Sequence, residues 1–343
     1  MKFIESPWTD PYYNLALEEY VFEKLDRRED WLILWQNYNT IVIGKYQNTI
    51  EEINADYVKT HGISVARRLS GGGAVYHDKG NLNYTIIVDK NDDFDFNFQY
   101  FVLPVTNALK LFGLDAAFSG RNDVTIDGKK FSGNSQYVKQ NRIMHHGCIM
   151  LDSNLAHVAD ALRVKPVKLE SKSTKSVRSR VTTINANLAE PIPMEVFKTA
   201  IKMQVAAGNE MEAYGLTGHD IAEIQKLRDT KYATWEWNYG FSPEYTIRKE
   251  EKFDGGIVTA HMNVEKGRIK EIKLFGDFFG NGDIAELEET LQGLPLDEHL
   301  EDNLQRIHID EYMKGIHVEE LAALLRDQEI RTAAQTKMFS TPQ

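Results

Sequence analysis

Residues 67–78 read Arg67-Arg68-Leu69-Ser70-Gly71-Gly72-Gly73-Ala74-Val75-Tyr76-His77-Asp78. Three consecutive glycines fall between two β-like runs, near 64–67 and 74–77. Without Cβ atoms the backbone there is free of the usual steric limits. Its N–H groups are able to converge on an anion, and a ligand is able to lie directly against the chain. Arg67 and Arg68 add charge that survives at any working pH, and a guanidinium holds a phosphate through two parallel bonds. A plain hairpin loop gains nothing from the entropic cost of three glycines, so a binding role is the favoured reading. No Gly-Lys-Ser/Thr follows, which excludes a P-loop, and the glycine spacing is not that of a dinucleotide fingerprint.

Outward from this loop the chain mixes strands and helices without strict alternation. Asp10 before Pro11 is an N-cap with proline at the first helical position, and the apolar spacing predicts a helix over 11–26. Strands are expected at 31–35, 41–43, 64–67, 74–77, 82–88, 122–126, 129–132 and 143–151, with helices near 53–60, 98–112, 154–162, 192–206 and 219–229. Past Trp237, residues 244–276 read as three strands joined by Asp254-Gly255-Gly256 and Lys266-Gly267 turns, then helices at 283–293 and 317–326. The expected class is α+β with a mixed, largely antiparallel sheet, divided into residues 1–243 and a smaller α+β unit over 244–343.

In RNDVTIDGKKFSGNSQ, residues 121–136, Asp127-Gly128 is a two-residue hairpin turn. A regular register sets Val124 opposite Phe131 and Asp123 opposite Ser132. Val124, Ile126 and Phe131 then share an apolar face, and Asp123, Thr125, Lys130 and Ser132 gather on the other. The hairpin alone fits both an ion-paired surface and a prepared cationic site. In MHHGCIML, residues 144–151, adjacent histidines point to opposite faces of a strand, so His145 and His146 are poor joint metal ligands. Cys148 reads as a small core residue. Gly280-Asn281-Gly282-Asp283 mimics part of a dinucleotide fingerprint, but Asp283 is better read as a helix N-cap.

The composition sets limits. Hydrophobic residues are 42% of the 343, charged residues 27%, and the net charge is −11. That balance argues against nucleic acid as the main partner. No apolar run approaches the roughly 20 residues a membrane helix needs. The N-terminal residues lack the pattern of a signal peptide, and a single cysteine fits a reducing cytoplasm. Residues 163–180 run against the overall charge, with seven basic side chains, Arg178 among them, and a lone Glu170. Rich in Ser and Thr, the stretch reads as a mobile basic loop that orders around a polyanion.

Taken together, the Arg-Arg-x-Ser-Gly-Gly-Gly-Ala-Val-x-His-Asp run, the succession Asn-Asp, Gly-Lys-Lys-Phe-Ser-Gly and His-His-Gly, and the opening NLALEEYVFEKL resemble the lipoate–protein ligase A family. The SKSTKSVRSRV stretch resembles that family's adenylate-closing loop, and the likeness continues through FGDFFG. It implies a catalytic domain of biotin/lipoate ligase type with an accessory domain. The implied reaction is ATP-dependent, Mg²⁺-assisted activation of lipoate to lipoyl-AMP, then transfer to a lysine of a lipoyl carrier domain. Carriers in the family include E2 subunits of 2-oxoacid dehydrogenases and the glycine cleavage H protein. By motif match Lys130 is the essential lysine. Arg68, Gly73, Ala74, Val75, Tyr76, Asn122, Asp123, Lys130 and Arg178 would contact ATP or the adenylate, with Asp123 a candidate Mg²⁺ contact. Arg68, Ser70, Gly71, Gly72, Gly73, His77, Lys130 and His146 would contact lipoate. The principal alternative is an octanoyl or lipoyl transferase of the same superfamily working through a Cys148 thioester. A biotin ligase and a non-catalytic lipoate-binding protein are the weaker ones.

Overall fold

The computed structural model describes residues 1–90, 97–162, 180–239, 247–297 and 299–326. They divide into two compact units, Met1–Ser242 and Pro243–Gln343.

The first unit is built on an eight-stranded sheet. Its strands are β1 (Lys2–Glu5), β2 (Trp31–Trp35), β6 (Asn81–Asp89), β7 (Ala117–Ser119), β8 (Asp123–Ile126), β9 (Lys129–Lys139), β10 (Arg142–Met150) and β11 (Glu212–Ala213), in the order β11-β1-β2-β6-β10-β9-β8-β7. β1 runs parallel to both neighbours and every other pairing is antiparallel. The sheet is therefore mixed and largely antiparallel, as the sequence predicts. The run WLILW explains its central position: Leu32 and Leu34 enter one core, while Trp31, Ile33 and Trp35 enter another. A strand buried on both faces reads as continuous apolar sequence, and each such side chain contributes about 1.5–3 kcal/mol. Helices Phe98–Lys110 and Met194–Ala206 supply side chains to the first core, and helices Pro11–Lys24 and Gly218–Leu227 to the second.

A second sheet of three strands, β4-β3-β5, comprises β3 (Thr40–Ile43), β4 (Ser64–Arg67) and β5 (Val75–His77). The Gly71–Gly73 loop connects β4 to β5, between two strands as expected.

The 121–136 hairpin departs from the predicted register. Asp127 and Gly128 have φ of 50° and 73°, the geometry of a tight hairpin turn. Ile126 faces Lys129 and Thr125 faces Lys130, but beyond them Val124 faces Ser132 and Asp123 faces Gly133. A β-bulge inserts Phe131 as an extra residue, which keeps Val124, Ile126 and Phe131 all buried in the core. Strand β9 also runs to Lys139, seven residues past the predicted end, while β1, β7 and β11 were too short to show a period.

The second unit has an antiparallel sheet β12 (Ile247–Phe253), β13 (Gly256–Glu265) and β14 (Arg268–Gly276), with helices including Ile284–Leu291 and Val318–Arg326. Its glycine run is structural: Asp283 caps Ala285, and the N–H groups of Asn281 and Gly282 both donate to Glu311 O.

Candidate functional site

In the first unit, β5 and the face of the large sheet formed by β2, β6, β9 and β10 line a cleft. Arg68, Gly73, Ala74, Val75, His77, Asn122, Lys130 and His146 stand in its wall, so one cleft gathers residues from all three sequence segments. Leu15, Trp35 and Val42 add apolar surface, and Asn83, Gly133, Asn134, Ser135, Gly147 and Cys148 complete the lining.

The glycine loop is folded around its own arginine. Arg68 donates from Nε to Ser70 Oγ (3.1 Å), from Nη1 to Val42 O (3.3 Å), and from Nη2 to Gly71 O (2.6 Å) and Gly73 O (2.9 Å). Gly72 adopts φ +90°, a left-handed conformation open to glycine. In planar trans peptides the N–H groups of Gly72 and Ala74 point opposite to those carbonyls, away from the guanidinium. Every acceptor named here is neutral. Burial pulls the Arg68 pKa down to about 10, and the residue stays cationic at neutral pH.

Arg67 corrects the expectation that both arginines serve the ligand. Its Nη1 donates to Gly44 O, Lys45 O and Gln47 O, its Nη2 to Thr49 Oγ1, and its Nε to Trp237 O. It lies outside the cleft lining and ties the 44–49 turn to helix Trp235–Tyr239. Tyr76 likewise turns away: alternation along β5 sends Val75 and His77 to the cleft and Tyr76 into the opposite core, with its hydroxyl on Asn39 Oδ1 at 2.9 Å.

Ser70 does not line the cleft but bridges two residues that do. Its Oγ accepts from Arg68 and lies 2.6 Å from His146 Nε2, while His146 Nδ1 lies 2.9 Å from Glu18 Oε1. A carboxylate only accepts, so the imidazole carries a proton on Nδ1, and its Nε2 makes the link to Ser70 Oγ. Thr85 Oγ1 also donates to Glu18, and Trp35 Nε1 to Thr85. This buried chain supports the arginine from behind. His145 points to the other face, where it stacks on Phe101 with 4.7 Å between centroids. Among the described residues no group of three or more His, Cys, Asp or Glu side chains could hold a metal ion.

Lys130 Nζ lies 2.6 Å from Asp123 Oδ1, and both side chains are about one-third exposed (33% and 38%). Gly133 makes the room, because a Cβ there would sit 2.9 Å from Nζ. Asn122 and Asn134 clamp the approach to β8: Asn122 Nδ2 donates to Asn134 O (2.8 Å) and Asn134 Nδ2 to Asn122 O (3.1 Å). Residues 163–179, Arg178 included, lie outside the described residues. The backbone just after them is anchored at the lysine, with Thr182 N–H donating to Lys130 O at 2.8 Å.

Sequence reasoning missed Glu18, Trp35, Asn83 and Gly133. Glu18 carried a signal, a carboxylate on the apolar side of the first helix. The other three are brought to the cleft by sheet register, which no local pattern encodes.

Comparison with known proteins agrees with the geometry. Residues 10–206 match the lipoyl protein ligase A/B catalytic domain and residues 242–325 the bacterial lipoate protein ligase C-terminus. Lipoate–protein ligase 1 of Staphylococcus aureus is 44% identical over 327 residues, covering 95% of this chain and 100% of the relative. The fold matches that of LipL1 from P. falciparum, solved in complex with lipoate, with TM-score 0.78 and 22% identity over 95% of this chain and 99% of that one. A bipartite lipoate protein ligase of Thermoplasma acidophilum, described with its E2 lipoyl domain, is 27% identical with TM-score 0.62, covering 72% of this chain and 98% of that one. With both segments matched and the motif residues gathered in one cleft, the chain belongs to the lipoate–protein ligase family.

Proposed function

We propose that the chain is an ATP-dependent lipoate–protein ligase. A carboxylate oxygen of lipoate attacks the α-phosphorus of ATP, pyrophosphate leaves, and lipoyl-AMP forms. A carrier lysine amine then attacks the acyl carbon, AMP leaves, and the amine gives up a proton. One observation carries this reading: two cations, Arg68 and Lys130, stand in the wall of a cleft that also has an apolar side at Leu15, Trp35 and Val42. Joining a carboxylate to a polyphosphate brings two anions together, and fixed positive charges oppose that repulsion and stabilise the transition state. An ammonium has no lone pair, so Lys130 acts electrostatically and not as a base.

In this reading Lys130, Arg68, Asn122 and the backbone of Gly73–Tyr76 contact the adenylate, and Arg178 joins them from the basic stretch. Lipoate lies along Gly71–Gly73, His77 and His146, with Ser70 holding the last in place. Asp123, paired with Lys130, serves to position the lysine. Mg²⁺ enters as MgATP, with phosphate oxygens as its main ligands. Residues 1–243 form the catalytic domain and 244–343 the accessory domain. The E2 lipoyl domain described with the Thermoplasma protein supports such a domain as carrier, and we extend the proposal to the glycine cleavage H protein. A cytoplasmic setting suits the single free thiol. Lipoate-dependent exchange of labelled pyrophosphate into ATP tests the activation step, and its absence in folded protein would refute it.

A further inference from the structure

Trp35, Asn83, Cys148 and Gly133 form one row across the sheet. Trp35 pairs with Asn83, Asn83 with Cys148, and Cys148 with Gly133, and all four line the cleft. With strands about 4.8 Å apart, the row spans roughly 14 Å. The ammonium of Lys130 stands at its Gly133 end and the indole of Trp35 closes the other. A ligand whose anionic head sits at Lys130 therefore brings its tail to Asn83, two strand spacings or roughly 10 Å away, with Trp35 one strand beyond.

His77 stands at that tail end. Its Nδ1 lies 3.2 Å from Asn37 Nδ2 and 3.5 Å from Asn83 Nδ2, and its ring centroid 6.1 Å from that of Trp35. Two backbone carbonyls determine where its proton resides. Trp8 O and Gln36 O, at 3.2 and 2.9 Å, hold the amide nitrogen of Asn14, which must therefore be the NH₂ group. The same nitrogen lies 2.9 Å from the Asn37 side chain, which must answer with its oxygen and so turns its own NH₂ to His77. Nδ1 is thus an acceptor, and the neutral ring carries its proton on Nε2. That Nε2 has no hydrogen-bond partner among the described residues, and His77 is only 2% exposed. Burial and the nearby Arg68 and His146 all oppose a second proton.

We propose that the Nε2–H of His77 is a specificity determinant that reads the sulfur end of the acyl chain, favouring lipoyl over a straight alkyl chain such as octanoyl. The proposal rests on the ligase reading. A buried N–H facing methylenes stays unpaired and is penalised, whereas a dithiolane sulfur offers it an acceptor, though a weak one. An uncharged donor suits an uncharged acceptor at the apolar end of the cleft, while the anionic head is met by Lys130 and Arg68.

The test compares lipoate with octanoate as substrates, using the full chain, MgATP and a lipoyl carrier domain. Wild-type protein should prefer lipoate. His77→Leu should lower the ratio of kcat/KM for lipoate over octanoate by roughly tenfold, chiefly through the KM for lipoate. An unchanged ratio overturns the proposal, as does a wild-type protein with no preference. A measurement on the unaltered protein stands beside it, because His77→Leu disturbs a buried site. Nitrogen–proton correlation of the histidine rings should show His77 with Nε2 protonated, and that resonance should move on adding lipoate and not octanoate. An Nδ1–H tautomer, or the same response to both acids, overturns the proposal. Failure to ligate either acid overturns the ligase reading instead, and the histidine spectrum still decides the tautomer.

Discussion

Lys130 and Asp123 form an ion pair of 2.6 Å although they are not cross-strand partners. Thr125 faces Lys130, and Asp123 faces Gly133. The bulge at Phe131 makes the pair possible, since it moves Asp123 opposite a residue with no side chain. The lysine thus reaches over Gly133 toward its carboxylate, along the cleft wall.

Replacing Lys130 by alanine should abolish adenylate formation in a protein that still folds. The side chain is one-third exposed, so little packing is lost. Removing a preorganised charge from a transition state costs about 3 kcal/mol, a rate loss of at least roughly a hundredfold. Pyrophosphate exchange alongside a thermal melt checks this. Near-normal exchange would remove Lys130 from the mechanism.

Gly133→Ala should act on the same lysine indirectly. The new methyl lies 2.9 Å from Nζ and 3.1 Å from Cε, the far end of a flexible side chain. The lysine moves aside and the backbone does not, so we expect a fall in kcat of about tenfold with a Tm within a few degrees of wild type. A variant as active as wild type means that this ammonium need not occupy its present position.

Adjacent arginines should fail differently. Arg67→Met removes the charged donor shared by Gly44 O, Lys45 O and Gln47 O. Each charge-assisted bond is worth about 1.5–3 kcal/mol, so a loss of about 3 kcal/mol or more in urea unfolding is expected. Arg68→Met should instead raise the KM values for lipoate and ATP. Equal effects of the two substitutions on stability and on KM would contradict the division of roles.

Local chemistry was legible in the sequence wherever a residue type is demanded by its own backbone. Asp127-Gly128 specified the turn, Asp10-Pro11 the first helix, and the triple glycine the loop. The roles of Arg67 and Arg68 could not be separated, because alternation at the end of β4 is broken by the loop and both are buried. Nor could the bulge at Phe131 be read, since Asp123 satisfies either register on paper. Gly133, Cys148, Asn83 and Trp35 become neighbours only when three strand pairings are fixed, and the widest of those, Asn83 with Cys148, joins residues 65 positions apart.

Cys148 lines the cleft in that row, so the thioester alternative has a thiol in place. An adenylate mechanism does not need it. Cys148→Ser should retain ligation within about threefold of wild type, since sulfur-to-oxygen is a small change in volume and neither half-reaction uses a nucleophilic side chain. Complete loss of transfer at unchanged Tm would favour the thioester route.

Two of the buried histidines, His77 on β5 and His145 on β10, predict a stability change with pH. Burial, with Arg68 and His146 nearby, lowers the His77 pKa to about 3, and burial lowers that of His145 well below 6.5. In the unfolded chain both titrate near 6.5. Between about pH 3 and 6.5 the unfolded state therefore binds protons that the native state refuses, and stability falls as pH falls through that window. Above about pH 6.5 both states are neutral and the contribution is constant. Each histidine adds a slope approaching about 1.4 kcal/mol per pH unit below 6.5. Urea unfolding between pH 7 and 5.5 should show this decline, at the upper end of the window where few carboxylates titrate. His77→Gln keeps a polar side chain but removes one titrating group, so its curve should be shallower by about one such slope. A variant that loses stability as steeply as wild type would mean that His77 takes up a proton in the folded protein, which would also undo the neutral donor assigned to it in the cleft.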